Sequence, residues 1–107
     1  MPNASKLEMV ANMTVFPEDG ERFVLQYFVL CTAGPEGTNH YGLRVEKCRP
    51  CGSLIEREDA PVFTAGSLDQ AVYLAERFAA GAVLPAFLQE MVDEWQHELA
   101  VSVEHAV

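Results

Sequence analysis

Two of the three cysteines stand three positions apart in Cys48-Arg49-Pro50-Cys51-Gly52, and thiolates at that spacing in a tight turn can chelate one zinc ion as half of a four-ligand knuckle. The other half is out of reach. The remaining plausible ligands, Cys31 and His40, flank the opposite end of the predicted third strand, and eight residues at about 3.3 Å each put the two ends roughly 26 Å apart. A turn that happens to contain cysteines is the better account. The same pair also lacks the helix N-terminus that lowers thiol pKa in C-x-x-C redox proteins, because it lies between strands. A thiol-redox or zinc protein using Cys48 and Cys51 is therefore the alternative expectation, and the leading one has no metal and no cofactor.

Glu94-x-x-His97 matches one half of the carboxylate-histidine motif of di-iron bundles. At about 100° per residue, however, His97 points away from the apolar stripe through Met91 and Trp95, so it belongs to a solvated acidic face with Glu90, Asp93 and Glu94. No G-x-S-x-G, P-loop, Rossmann glycine pattern, H-E-x-x-H or EF-hand loop occurs in the chain. Catalytic residues are therefore not expected.

The 107 residues suit a single domain, 1–107, with 1–6 and 101–107 expected as flexible tails. Half the chain is hydrophobic, which argues against disorder. Seven Lys and Arg against 16 Asp and Glu give a formal charge of −9, a field that repels phosphate backbones and anionic membranes, so no nucleic-acid or membrane partner is expected. Met1 to Met9 has no apolar h-region, and Ala79 to Leu88 is too short to span a bilayer. A cytoplasmic address with reduced thiols is the expectation.

The elements that position these residues change period at Gly66-Ser67. Before it, apolar residues alternate: Leu7, Met9, Ala11, Met13 and Val15 predict a strand from Leu7 to Phe16 with one buried face. Pro17-Glu18-Asp19-Gly20 predicts a hairpin with Val15 opposite Phe23, Met13 opposite Leu25 and Ala11 opposite Tyr27. The second strand, Phe23 to Cys31, is the most apolar segment and should be central. Pairing Thr32 with His40 sets Tyr41, Leu43 and Val45 of a third strand, His40 to Cys48, on the same face. Arg49 to Gly52 reads as a tight turn into a charged edge strand, Ser53 to Glu58, whose register is ambiguous by one residue. Ala60 to Ala65 connects onward, with a short extended piece around Val62 and Phe63.

After the switch, Ser67 and Gln70 form a capping-box pattern. Leu68, Ala71, Val72, Ala75, Phe78 and Ala79 line one side of a first helix, with Gly81 as its C-terminal cap. Pro85 fits the first turn of a second helix whose stripe runs through Leu84, Phe87, Leu88, Met91, Val92, Trp95 and Leu99 and frays after Ala100. The expected fold is α+β: an antiparallel three- or four-stranded meander followed by two C-terminal helices on one face.

The Pro17-Glu18-Asp19-Gly20 hairpin, Tyr41-Gly42-Leu43-Arg44-Val45-Glu46-Lys47, the Ser67 helix start, and Val83-Leu84-Pro85 leading to Leu88, Val92, Asp93 and Trp95 occur in one order from about Leu7 to Trp95. In this the chain resembles a domain-of-unknown-function family of small bacterial proteins found mostly in Gram-positive anaerobes. The resemblance implies a bacterial cytosolic protein and carries over no catalytic residue.

Two helices with one apolar stripe each can cover only one face of the sheet. On the other, Val24, Phe28 and Leu30, with Val10 and Phe16 from the first strand, form an apolar patch among Asn12, Thr14, Gln26, Arg44 and Glu46. Such a patch is either a protein-binding surface or lies beneath Met1 to Lys6 or the C-terminal tail. The expected function is a non-catalytic interaction or regulatory module, a homo-oligomer or a binder of a protein partner, with Val10, Val24, Phe28 and Leu30 at its interface.

Overall fold

The computed structural model describes the backbone of residues 5–34, 37, 39–60 and 67–105, and the side chains of these residues apart from 5 and 98–105. Four strands, β1 (Ser5–Val15), β2 (Phe23–Ala33), β3 (Asn39–Cys48) and β4 (Leu54–Ala60), form one antiparallel meander in the order β1-β2-β3-β4. Helices α1 (Leu68–Ala80) and α2 (Leu88–His105) follow, so the fold is α+β with both helices after the last strand. The shortest dimension is 18 Å, which fits one sheet and one helical layer about 10 Å apart.

The first hairpin keeps the predicted register: Val15 opposes Phe23, Met13 opposes Leu25 and Ala11 opposes Tyr27. Gly20 makes the turn possible by adopting φ +122°, where a Cβ would be strained. The β2–β3 register also follows the expected pairing, with Thr32 opposite His40, Leu43 opposite Val29 and Val45 opposite Tyr27. The Arg49–Gly52 turn is closed by the Gly52 amide donating to the Arg49 carbonyl at 2.8 Å.

Two departures change which residues face where. A bulge between Met9 and Ala11 shifts β1, so Met9 pairs with Phe28 and Leu7 with Leu30. A one-residue slip turns every side chain on its far side from the hairpin to the other face; Leu7 and Met9 thus leave the helix-covered face expected for them, and Lys6 and Glu8 take it. The recess they line there, about 270 Å³ bordered also by Cys31, Tyr41 and Leu68, lies by the N-terminus of α1, where polar side chains meet water. A second bulge sets Cys48 opposite Leu54 and Lys47 opposite Glu56, which resolves the ambiguous edge register and runs β4 from Leu54 to Ala60. The segment around Val62 and Phe63 lies outside the described residues.

The core sits between the inner sheet face and the helices. Leu25, Tyr27 and Val29 of β2 and Leu43 and Val45 of β3 are buried against Ala71, Leu74, Ala75 and Phe78 of α1 and Leu88 and Val92 of α2. Each large side chain so buried stabilises the fold by roughly 1.5–3 kcal/mol. The Tyr27 hydroxyl donates to the Val83 carbonyl at 2.9 Å, tying the sheet to the interhelical connection.

At the start of α1 the Ser67 hydroxyl accepts from the Gln70 amide at 3.3 Å, the predicted cap. At its end Gly81 is the C-cap but has φ −91°; the left-handed residue is Ala82, at φ +51°. The Ala82 amide donates to the Ala79 carbonyl and the Val83 amide to that of Phe78, a Schellman motif with alanine where glycine is usual. Pro85 opens a 3-10 turn, Pro85–Phe87, before α2. Phe87, 53% exposed, and Leu68, 41% exposed, fall outside the stripes predicted for them, and α2 continues to His105 instead of ending near Ala100.

Candidate outer-face interface

The outer face is built by alternation. Because Leu25, Tyr27 and Val29 point to the helices, Val24, Phe28 and Leu30 point away. Cross-strand pairing puts Met9 beside Phe28 and Leu7 beside Leu30 on that face. Leu30 is buried, Val24 and Phe28 are half-buried, and Leu7 and Met9 remain 44% and 48% exposed. Val10 is elsewhere than expected: it sits in the bulge, half-buried, and packs against the core. Phe16, 72% exposed, lies just past the end of β1. Nothing in the alternation of Leu7, Met9 and Ala11 signals the slip, since the bulge uses neither glycine nor proline.

Beside this strip, on β3 and β4, lies a lattice of paired charges. Arg44 makes a two-pronged contact with Asp59, Nε to Oδ1 at 2.7 Å and Nη2 to Oδ2 at 3.0 Å. Arg57 Nε donates to Glu46 Oε2 at 2.8 Å, and Arg44 Nη1 stands 3.9 Å from the same oxygen. The hydrogen bond to Asp59 pushes the pKa of Arg44 further up. Glu46 is the buried charged residue of this face, and two guanidiniums offset its desolvation. Along β3 the signs run plus then minus, and along β4 directly opposite they run minus then plus, a checkerboard of four. Arg44 and Glu46 therefore form part of a neutral lattice instead of a loose polar surround.

The two cysteines of the turn have different fates. Cys48 ends β3, buried on the outer face, with its thiol donating to Gln26 Oε1 at 3.8 Å; burial and the nearby Glu46 carboxylate push its pKa up. Cys51 is exposed in the turn, and its hydrogen bond with the Ser53 hydroxyl at 3.2 Å pulls its pKa down. All three cysteines are free thiols. Among the described residues no group of three or more His, Cys, Asp or Glu side chains converges to hold a metal ion. His97 is exposed on α2, as are Glu90, Asp93 and Glu94.

On the opposite side of the slab, α1 and α2 border a cleft of about 270 Å³ lined by Leu74, Phe78, Met91 and Trp95, with Arg77 and Glu94 at its margin. Among the described residues no helix is long and apolar enough to cross a membrane. No family model matches the chain, and no curated protein and no solved structure is similar to it.

Proposed function

We propose that this domain is a non-catalytic interaction or regulatory module of the bacterial cytoplasm that binds protein through the outer face of its sheet. The bacterial setting is what the family resemblance implies. The observation that carries the binding role is the apolar strip of Leu7, Met9, Phe28 and Leu30, assembled by the bulge at Val10 on the face opposite the helices. Single exposed leucines are ordinary on any surface; here two half-exposed side chains adjoin two more on the neighbouring strand. Completing the burial of Leu7 and Met9 is worth roughly 1 kcal/mol each, a small but concentrated gain for a partner that covers them. The surrounding Asn12, Thr14 and Gln26 supply the polar rim of such a surface.

Phe28→Glu tests the role, because it places a charge in the strip without touching the inner core. The substitution should abolish association while leaving the circular dichroism spectrum and thermal midpoint of the monomer close to wild type. If mass in solution and the set of bound proteins are the same for both chains, the outer face is not a binding surface.

A further inference from the structure

The meander leaves two strand edges open, since β1 pairs only with β2 and β4 only with β3. An open edge presents unpaired N–H and C=O groups to any other strand, and natural sheets guard it with charge. The edge of β4 is guarded. Glu56 and Glu58 stand exposed on its inner side, opposite Lys47 and Val45 of β3. Any antiparallel register that overlaps these residues in two copies sets glutamate against glutamate, which destabilises the pairing.

The edge of β1 is different. Its charged residues are Lys6 and Glu8, two positions apart on the inner side of the sheet and both exposed. Among the described residues neither makes an ion pair within the chain. A guard of one sign repels a second copy, whereas a plus and a minus at this spacing complement themselves. From Met9 to Val15 the strand carries no charge and no proline.

The register follows by elimination. A second β1 paired antiparallel is related by a two-fold axis normal to the sheet, which preserves inner and outer faces and passes through a residue pair. The bulge at Val10 exchanges the faces of odd- and even-numbered residues, so each half of β1 can match only the same half of a second copy. The half from Ala11 to Val15 has no charge to choose a register and runs into Pro17, which cannot donate to a ladder. In the half from Ser5 to Met9, an axis at Lys6 opposes Lys6 to itself, and an axis at Glu8 opposes Glu8 to itself. An axis at Leu7 instead opposes Lys6 to Glu8 on both sides, with Cβ atoms about 5 Å apart.

The outer face agrees with this axis. Leu7 comes to lie beside the second copy's Leu7, and the row Leu30-Leu7 of one sheet runs on into Leu7-Leu30 of the other. The two apolar strips become neighbours on one sheet of eight strands. On the inner side, Leu68, 41% exposed, shares a recess with Lys6 and Glu8, and the axis sets the two recesses against each other.

We infer that β1 is a self-pairing edge: two copies join as antiparallel strands about a two-fold axis at Leu7, held by reciprocal Lys6–Glu8 pairs. Ser5 to Met9 of each copy take part, an ordinary strand length. The operation is closed, so assembly stops at two copies. This edge is separate from the outer-face binding role and does not depend on it.

Sedimentation equilibrium of the full chain over a range of concentrations tests the inference. The wild type should pass from monomer to dimer and no further. Lys6→Glu sets acid against acid at both pairs, and Glu8→Lys sets base against base; each should weaken the dimer by roughly thirtyfold. Mixed in equal amounts, the two single variants should recover association as a heterodimer, because one carries acids at both positions and the other bases at both. The double variant, Lys6→Glu with Glu8→Lys, should dimerise by itself. Circular dichroism of each variant keeps loss of fold apart from loss of contact. Should a single variant fail to fold, Leu7→Lys sets two charges together on the axis and must also give monomers.

Phe28→Glu removes association through the outer face and should leave the edge dimer intact, so the two readings fail separately. A wild type monomeric throughout, a dimer indifferent to both single variants, or assembly continuing beyond two copies would overturn the self-pairing edge. Weakened single variants whose mixture does not recover would overturn the register at Leu7.

Discussion

Removing one hydroxyl, in Tyr27→Phe, probes the tie between the sheet and the helical layer. Tyr27 is 1% exposed, its hydroxyl donates to the Val83 carbonyl at 2.9 Å, and burial raises its pKa from 10.0 to about 12. Deleting the donor leaves a carbonyl without its partner, a loss of about 1–2 kcal/mol. With an unfolding entropy of about 2.1 cal/mol/K per residue over 107 residues, 1.5 kcal/mol lowers the thermal midpoint by roughly 7 °C at neutral pH. Alkali acts in the opposite sense. Below pH 10 the phenol is protonated in both folded and unfolded chains, and its contribution is complete. Between pH 10 and 12 the unfolded chain releases the proton and the folded chain keeps it, so wild-type stability falls. Two pKa units correspond to about 2.7 kcal/mol at most, nearer 1.5–2 after solvent screening in so thin a domain. The Tyr27→Phe chain has no such loss, so the advantage of the wild type should shrink above pH 10 and vanish near pH 11–12. Urea titrations of both chains from pH 8 to 12 measure the difference directly. A gap that stays constant across that range would refute a buried, protonated, hydrogen-bonded Tyr27.

Two further outcomes follow from local geometry. Ala82→Gly relieves a left-handed alanine, and Gly81→Ala fills a site at φ −91° whose added Cβ meets only ordinary contacts at 3.8 Å; each should stabilise the fold by roughly 0.5–1 kcal/mol, read as a rise in urea midpoint, and a fall for either would contradict the cap assignment. Cys51, exposed and acidified by its contact with Ser53, should be alkylated well before the buried Cys48, and Ser53→Ala should slow it; peptide mass spectrometry after timed labelling decides the order.

Most of the architecture was legible because turns announce themselves. Gly20 and the Asn39–His40 side of the β2–β3 hairpin anchor registers that bring Ala11, Met13 and Val15 to Tyr27, Leu25 and Phe23, and Tyr41, Leu43 and Val45 to the same inner face. Ser67 marks α1 for the same reason: a side chain that satisfies its own backbone leaves a local signature. The bulge at Val10 left none, so Leu7 and Met9 read as core when they belong outside and Val10 as interface when it packs inward. The charge checkerboard was hidden by the other bulge. Arg44, Glu46, Arg57 and Asp59 are plain in the sequence, but which faces which depends on Ile55 being left unpaired between Leu54 and Glu56. Ala82 illustrates a third limit, since a left-handed alanine is imposed by the chain reversal around it and not by its own preference.

The meander has a consequence for the order in which the chain assembles. Each strand pairs only with its sequence neighbours, so the sheet can zip hairpin by hairpin, closing short loops at small entropic cost. The helices must then come back across the chain: the Tyr27–Val83 bond joins residues 56 apart. Contacts of that separation form after the rate-limiting barrier if the hairpins are the nucleus, and Tyr27→Phe should accelerate unfolding while leaving the refolding rate nearly unchanged. Stopped-flow refolding slowed in proportion to the lost stability would place helix docking in the nucleus instead.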